Sequence, residues 1–179
     1  KIGTGLHDSS ASLAPFFNPD VGNFILVSTG TWCISMNPFN NEPLTTEELE
    51  QDCLCYMSVN SKPVKSSRLF LGHMHDESVA RLSQYFRIHE NSFLLVRPDL
   101  KLLNKMMNKF EGEKIFTVPG SKPGALKDEP ELFLFDNFIE AYHQLMIELA
   151  DLTVEAINRV KVENDRTEKI FFTGGFVKN

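Results

Sequence analysis

The sequence predicts a mixed α/β fold in which helices flank a sheet. Two apolar runs near the start are rich in strand-forming residues, the middle of the chain has helical periodicity, and a last apolar run precedes a Gly-Gly pair. Runs of β-branched and aromatic residues favour strands, whereas apolar residues three and four apart favour helices. Early and late strands with helices between them favour a layered architecture of sheet and helices.

Length and composition agree with a globular domain and argue against several classes of protein. The 179 residues are 42% hydrophobic and 23% charged, which is typical of a chain that buries a core. The formal charge of −6 argues against a general nucleic-acid surface. No apolar run reaches the ~18–20 residues of a membrane helix. The cysteines Cys33, Cys53 and Cys55 lack metal-ligand spacing and predict reduced thiols in a cytoplasmic protein.

Both ends of the sequence predict a piece of a longer polypeptide. The chain begins with Lys1 instead of Met, and no signal segment follows. It ends shortly after Gly174-Gly175, and a glycine pair after a strand normally leads into a helix. We therefore expect the fold to be incomplete at both ends.

The N-terminal elements are a short helix and a hairpin. Asp and Ser residues over 8–14 are typical of a capped helix start, which Pro15 ends. Residues 24–28 (FILVS) lack polar alternation and predict a strand covered on both faces. The pair Thr29-Gly30 predicts a tight hairpin link to a second strand over residues 31–36.

The middle of the chain is predicted to be mainly helical. Thr45 and Glu48 have the spacing of a capping box at a helix start. Residues 66–75 (SSRLFLGHMH) predict a strand, and apolar residues at helical spacing predict helices over 77–86 and 97–110.

The last third predicts a long helix and a final strand. Residues 131–160 carry apolar side chains at helical spacing and predict a buried spine of the domain. Residues 170–172 (IFF) predict a short buried strand after a polar turn. Trp32 and the phenylalanines are expected in the core, because the basic residues of a nucleic-acid stacking surface are missing.

Asp8 is the first candidate for chemistry. His7-Asp8 follows Gly3-Thr4-Gly5, whose glycines let the backbone pass close to another group. A carboxylate at a strand-to-helix junction faces the crevice where α/β folds bind ligands, and it could take a proton from a hydroxyl. The alternative role for Asp8 is that of a helix cap.

Two glycine-containing segments are candidates for phosphate or nucleotide contact. Residues 28–31 (STGT) offer hydroxyl and backbone N–H donors at a hairpin tip, as phosphate sites require, or form a plain turn. Residues 173–175 (TGG) follow a strand and either border a nucleotide or simply connect strand to helix. The Walker and dinucleotide-binding glycine patterns are both absent from the sequence.

His73 and His75 are candidate metal ligands. Histidines two apart on a strand share a face, as some zinc and hydrolase sites require. No third or fourth ligand follows from spacing, so a structural role is the alternative.

Three stretches in this order resemble the FGGY family of carbohydrate kinases. They are residues 5–12 (GLHDSSAS), residues 26–32 (LVSTGTW) and residues 170–176 (IFFTGGF) together with Asn179. The His-Asp-Ser opening is most similar to the rhamnulokinase and fuculokinase branch. The resemblance spans the whole chain, which would correspond to most of the family's C-terminal domain.

The resemblance implies a ribonuclease-H-like domain of the actin/hexokinase type, with a mixed sheet and flanking helices. It implies ATP and Mg²⁺ as cofactors and a ketose or deoxyketose such as rhamnulose, fuculose or xylulose as substrate. By this resemblance Asp8 is the general base that deprotonates the sugar hydroxyl, and His7 and Ser9 neighbour the substrate.

The same resemblance assigns the two glycine-containing segments to the nucleotide. Thr29, Gly30 and Thr31 would face the ATP phosphates, and Gly174 and Gly175 would border the adenosine. Phosphoryl transfer then depends mainly on positioning and on stabilising charge, with Mg²⁺ shielding the phosphates.

Parts of a complete kinase of this family are missing from the sequence. The N-terminal domain and the helices after Asn179 are absent, so we expect this chain alone to have no kinase activity. The expected partners are sugar, ATP and the N-terminal domain of the same protein, without nucleic acid or membrane; a homodimer remains open. Asn60 and Arg68 are candidates for a further polar sugar ligand.

Two other functions compete with an active sugar kinase. One is a kinase-fold protein that has lost catalysis and only binds its ligand, against which the retention of Asp8 argues. The other is a metal hydrolase built on His73 and His75.

Overall fold

The computed structural model describes residues 7–120, 124–162, 164 and 166–175, and for Pro19 the backbone alone. The chain separates into two compact units. We call Lys1–Phe70 with Thr153–Asn179 the sheet unit, and Leu71–Leu152 the helical unit. No helix in the described part of the chain combines the length and the apolar character that a membrane crossing needs.

Among its described residues, the sheet unit has five strands, two short α-helices and the end of a long one. The strands and the short helices are α1 (Asp8–Ala11), β1 (Phe24–Thr29), β2 (Cys33–Asn37), α2 (Thr46–Glu50), β3 (Cys53–Met57), β4 (Pro63–Leu69) and β5 (Lys169–Gly174). The strand order is β3-β4-β2-β1-β5. β1 pairs in parallel with β5, whereas the other neighbours pair antiparallel. This mixed sheet with flanking helices confirms the predicted fold class.

Local signals placed the first elements correctly, with two differences. α1 ends at Ala11 instead of residue 14, and Pro15 lies in a following 3₁₀ turn, Ala14–Phe16. The β1–β2 hairpin is confirmed, but Thr29 pairs with Cys33, so the link has three residues instead of two.

The capping box at the start of α2 is present as predicted. The Thr45 hydroxyl accepts from Glu48 N, and the Glu48 carboxylate accepts from Thr45 N. Glu48 also accepts from the ammonium of the buried Lys65 at 2.8 Å. Burial raises the pKa of Glu48, but the bonds from Lys65 and Thr45 outweigh it, so this pKa lies below its usual value. Those contacts tie α2 to β4.

Each face of the sheet has its own apolar layer, because side chains alternate along a strand. One face carries a buried cluster that includes Leu13, Leu26, Ile34 and Val64. The opposite face carries Cys33, whose pKa burial raises to about 11, so the thiol is protonated at neutral pH.

The last turns of α5 (Phe138–Arg159) belong to the sheet unit. The carbonyl of Val160 accepts from the side-chain amides of Asn37 and Asn40 at 3.0 and 2.9 Å. The thiol of Cys33 makes a hydrogen bond to Thr153 of α5. These bonds fix the end of α5 against β2 and the turn after it.

The prediction of a buried final strand was wrong. β5 lies at the edge of the sheet, and Ile170 and Phe172 are 42% and 49% exposed. Phe171, on the other face of β5, packs against the buried cluster, and its ring is tilted 41° from that of Phe16 with the centroids 4.9 Å apart. An apolar run therefore indicated the strand but not its burial.

The helical unit contains α3 (Leu71–Phe86), α4 (Leu100–Phe110) and the first part of α5, with 3₁₀ turns at Glu90–Leu95 and Leu132–Leu134. α3 begins six residues before the predicted start, and the predicted strand over 66–75 ends with β4 at Leu69. α4 begins where the Asp99 carboxylate accepts from Lys101 N at 2.8 Å. α5 begins at Phe138 instead of residue 131.

Glu148 of α5 is a fully buried carboxylate that sequence analysis missed. It accepts from the backbone N–H groups of Ile115, Phe116 and Thr117 at 2.7, 3.1 and 3.0 Å. It also accepts from the Thr117 hydroxyl and the Gln144 amide. A buried N–H without an acceptor costs about 1–3 kcal/mol, so Glu148 anchors this segment to α5.

Candidate active site

The parallel pairing of β1 and β5 brings the two glycine-containing segments together. Ser28 pairs with Thr173 and Thr29 pairs with Gly174, so both strands end at the same edge of the sheet. The Thr29 hydroxyl donates to the carbonyl of Thr173 at 2.7 Å. Segments about 140 residues apart in the chain thus form one continuous backbone surface. The structure brings together five of the predicted site residues, Thr29, Gly30, Thr31, Gly174 and Gly175.

The three glycines at this edge differ in what the fold requires of them. Gly174 has φ +99°, and a Cβ there would lie 1.7 Å from the carbonyl oxygen of Thr29, so no other residue fits. Gly30 and Gly175 lack a positive φ. A Cβ at Gly30 would meet only the carbonyl oxygen of Trp32, at 3.9 Å. At Gly175 it would meet no described atom within 4 Å. The backbone is therefore open to close approach at these two positions.

Asp8 begins α1 and is 93% exposed. Its Oδ1 accepts from Ser9 N at 2.8 Å and lies 2.9 Å from Nδ1 of His7. The predicted role of Asp8 as a cap is partly realised, since it satisfies a first-turn N–H group, although His7 occupies the cap position. The Ser9 hydroxyl donates to the same oxygen at 3.5 Å, so one exposed carboxylate oxygen has three polar neighbours at the start of a helix.

The His7 ring stacks on Tyr56 of β3, with centroids 5.0 Å apart and planes 11° from parallel. Tyr56 packs against the buried cluster that contains Ile34 and Val64. The start of α1 therefore lies on the face of the sheet that this cluster lines. Sequence analysis missed Tyr56, because nothing local to residue 56 indicates a partner 49 positions earlier.

Arg68 of β4 lies beside this region and makes a specific pair. Its Nη2 donates to Asp52 Oδ1 at 2.6 Å, a bond that raises the pKa of the Arg68 guanidinium further above its usual value. The guanidinium also lies 5.0 Å from the ring centroid of Trp32, which stacks on Phe70 at 4.5 Å. Trp32 was expected in the core but is 40% exposed. Its stack on Phe70 fixes the ring of this residue, which directly follows Thr31.

His73 and His75 lie on α3, not on a strand, and this corrects the basis of the metal prediction. Residues two apart on a helix point about 200° apart, so the two rings cannot share a face. His73 pairs with Glu77, whereas the buried His75 bonds to the Tyr142 hydroxyl at 3.1 Å. Among the described residues, no group of three or more His, Cys, Asp and Glu side chains could hold a metal ion.

Comparisons with known proteins point to carbohydrate kinases. Residues 21–94 match the family model described as "Carbohydrate kinase FGGY, C-terminal domain", which covers less than half of the chain. This range includes the residue 26–32 stretch but not the stretches at either end. A search of curated proteins finds no match.

Two solved structures are similar in fold. A carbohydrate kinase from Novosphingobium aromaticivorans is 23% identical with a TM-score of 0.62, over 97% of this chain and 36% of that chain. A xylulose kinase from Bifidobacterium adolescentis is 12% identical with a TM-score of 0.54, over 96% and 32%. The chain thus spans about a third of the length of these structures.

The likeness to these structures shows the fold, a mixed sheet with flanking helices of the actin/hexokinase type. The family model independently matches β1 through β4 and α3. The matched segment and the shared fold are thus two separate similarities of this chain to carbohydrate kinases.

Proposed function

We propose that this chain is part of the C-terminal domain of an ATP-dependent sugar kinase, active as part of a longer protein in the cytoplasm. The sugar is a ketose or deoxyketose such as rhamnulose, fuculose or xylulose, and the enzyme is of the rhamnulokinase/fuculokinase kind. The observation that carries the proposal is the pairing of Thr29 with Gly174, which joins the two segments assigned to the nucleotide.

The chemistry of the β1–β5 edge supports nucleotide binding. Phosphate oxygens need hydroxyl and backbone N–H donors at close range, and Thr31 with Gly30 supplies such donors in a three-residue turn. The open backbone at Gly30 and Gly175 leaves room for a ligand to approach without a Cβ in the way. Thr29, Gly30 and Thr31 therefore serve the phosphates, and Gly174 and Gly175 border the adenosine.

Asp8 supplies the base in this proposal. A sugar hydroxyl attacks a phosphorus atom better when a carboxylate accepts its proton. His7 and Ser9 flank that carboxylate and have side-chain groups that can bond to sugar hydroxyls. The exposure of Asp8 leaves its outer oxygen accessible to a substrate.

Mg²⁺ fits the donor set as a partner of ATP. Mg²⁺ keeps several waters and binds through substrate phosphates with one or two carboxylates, so it does not need a cage of protein ligands. Asp8 is assigned to the sugar hydroxyl as the base, so the ion would be held through the phosphates of ATP. When bound, the ion neutralises the charge that develops on the phosphates.

The test offers a panel of ketoses and polyols to the full-length protein with Mg-ATP and follows ADP release. We expect one deoxyketose or ketose to stimulate turnover, and we expect none from the isolated 179-residue chain. A full-length protein that binds sugar and ATP without turnover would favour the ligand-binding alternative. Sugar-dependent turnover by the isolated chain would contradict the part of the proposal that needs the rest of the protein.

A further inference from the structure

We propose that Tyr56 is a positioning residue whose ring holds the His7 imidazole and, through it, the Asp8 carboxylate. This inference rests on the proposed function, since it concerns the orientation of the proposed base. Tyr56 lies on β3, outside every stretch that carries the family resemblance.

The rings of His7 and Tyr56 are in contact. The His7 and Tyr56 planes lie 11° apart with their centroids 5.0 Å apart, which is a stacked arrangement. The His7 side chain is 55% exposed, so much of its other surface faces solvent. The stacked Tyr56 ring therefore limits how the His7 imidazole can rotate.

The His7 side chain lies against the Asp8 carboxylate. Nδ1 of His7 accepts from Ser9 N at 3.3 Å and lies 2.9 Å from Asp8 Oδ1, while Ser9 N also donates to the same Oδ1 at 2.8 Å. The two side chains therefore share the Ser9 N–H group and are in contact, so the position of the His7 ring limits where the Asp8 carboxylate can lie. These contacts involve one carboxylate oxygen, and the other oxygen remains available to a substrate.

Tyr56 is itself fixed by the sheet. It pairs with Val64 across the β3–β4 ladder and packs against the buried cluster. Burial raises the pKa of the Tyr56 phenol, while Arg68 lowers it and the carboxylates of Asp52 and Asp8 raise it. The Asp8 side chain is 93% exposed, so its orientation depends on its bonds from Ser9 and on the His7 ring that Tyr56 supports.

The experiment measures kinase kinetics of the full-length protein with Tyr56→Phe and Tyr56→Leu. Phe keeps a flat ring for the stack and should leave kcat within about twofold, whereas Leu should lower kcat about 10–100-fold. The KM for ATP should remain unchanged in both variants, because Tyr56 acts on the base and not on the nucleotide.

A double-mutant cycle separates positioning from a general structural effect. If Tyr56 acts through His7, Tyr56→Leu should add little to the loss caused by His7→Ala, because both changes remove one interaction. Phe39→Leu, which truncates another partly exposed aromatic residue of the sheet unit, serves as control and should leave kcat unchanged. This inference would be overturned if the kcat losses of Tyr56→Leu and His7→Ala multiplied fully in the double variant, or if Tyr56→Leu kept wild-type kcat. The kinase proposal would remain intact in both cases.

Discussion

Replacement of Asp8 with Asn in the full-length protein is expected to lower kcat for sugar phosphorylation by about 10²–10⁴-fold. Asn has nearly the same shape but accepts no proton, and the affinity for ATP should change little because the phosphates contact other residues. Steady-state kinetics with the preferred sugar, together with ATP binding by calorimetry, measure both quantities.

The matched control for this change is Asp20→Asn. Asp20 is an exposed aspartate in the same unit, at the 3₁₀ helix Pro19–Val21, and it has no place in the proposed site. It should keep wild-type kcat. An Asp8→Asn protein with unchanged turnover would show that another residue accepts the proton.

The substitution Gly174→Ala is expected to destabilise the fold by more than about 4 kcal/mol. A Cβ at this position would lie 1.7 Å from the Thr29 carbonyl oxygen, and the φ of +99° is strained for any L side chain. The β1–β5 pairing has to open locally, which removes the surface proposed for the nucleotide. Chemical denaturation and ADP titration of the full-length protein measure the two losses.

Gly175→Ala provides the contrast within the same pair of glycines. A methyl group there meets no described atom within 4 Å, so the midpoint of unfolding should remain close to wild type. The methyl group would occupy space proposed for the nucleotide, and ADP affinity should fall about tenfold or more. Wild-type stability of Gly174→Ala would contradict the described register, and wild-type ADP affinity of Gly175→Ala would contradict the assigned ligand.

Local patterns predicted the elements whose signals are local. The run over 24–28 predicted β1 because four apolar residues follow one another without polar alternation. Thr45 with Glu48 predicted the start of α2 through a reciprocal pair of bonds. A short apolar run does not report its neighbours, however, so the exposure of β5 at the sheet edge was not predictable from residues 170–172.

The misassigned stretch 66–75 did contain a usable signal. From Leu71 onward the buried residues of α3 recur every three or four positions, at Leu71, Met74, His75, Ser78, Val79 and Leu82. Periodicity counted from Leu71 instead of from residue 77 predicts the helix start and places the two histidines on a helix.

The candidate site was predictable in its parts but not in its assembly. Thr29-Gly30 and Gly174 each follow an apolar run, which indicates two strand ends; only the parallel register shows that the two ends are neighbours. The stacking of Tyr56 on His7, the bond of Asp52 with Arg68 and the exposure of Trp32 all depend on contacts between residues distant in sequence. A single sequence carries no pattern that reveals such contacts.

Amide hydrogen exchange of the full-length protein with and without Mg-ADP tests directly whether the β1–β5 edge binds the nucleotide. We expect slower exchange in peptides covering residues 28–33 and 172–175 together, because one nucleotide contacts the ends of both strands. Addition of the preferred sugar should slow exchange in the peptide containing Asp8. Bound Mg-ADP that leaves both strand-end peptides unchanged would show that this edge of the sheet does not bind the nucleotide.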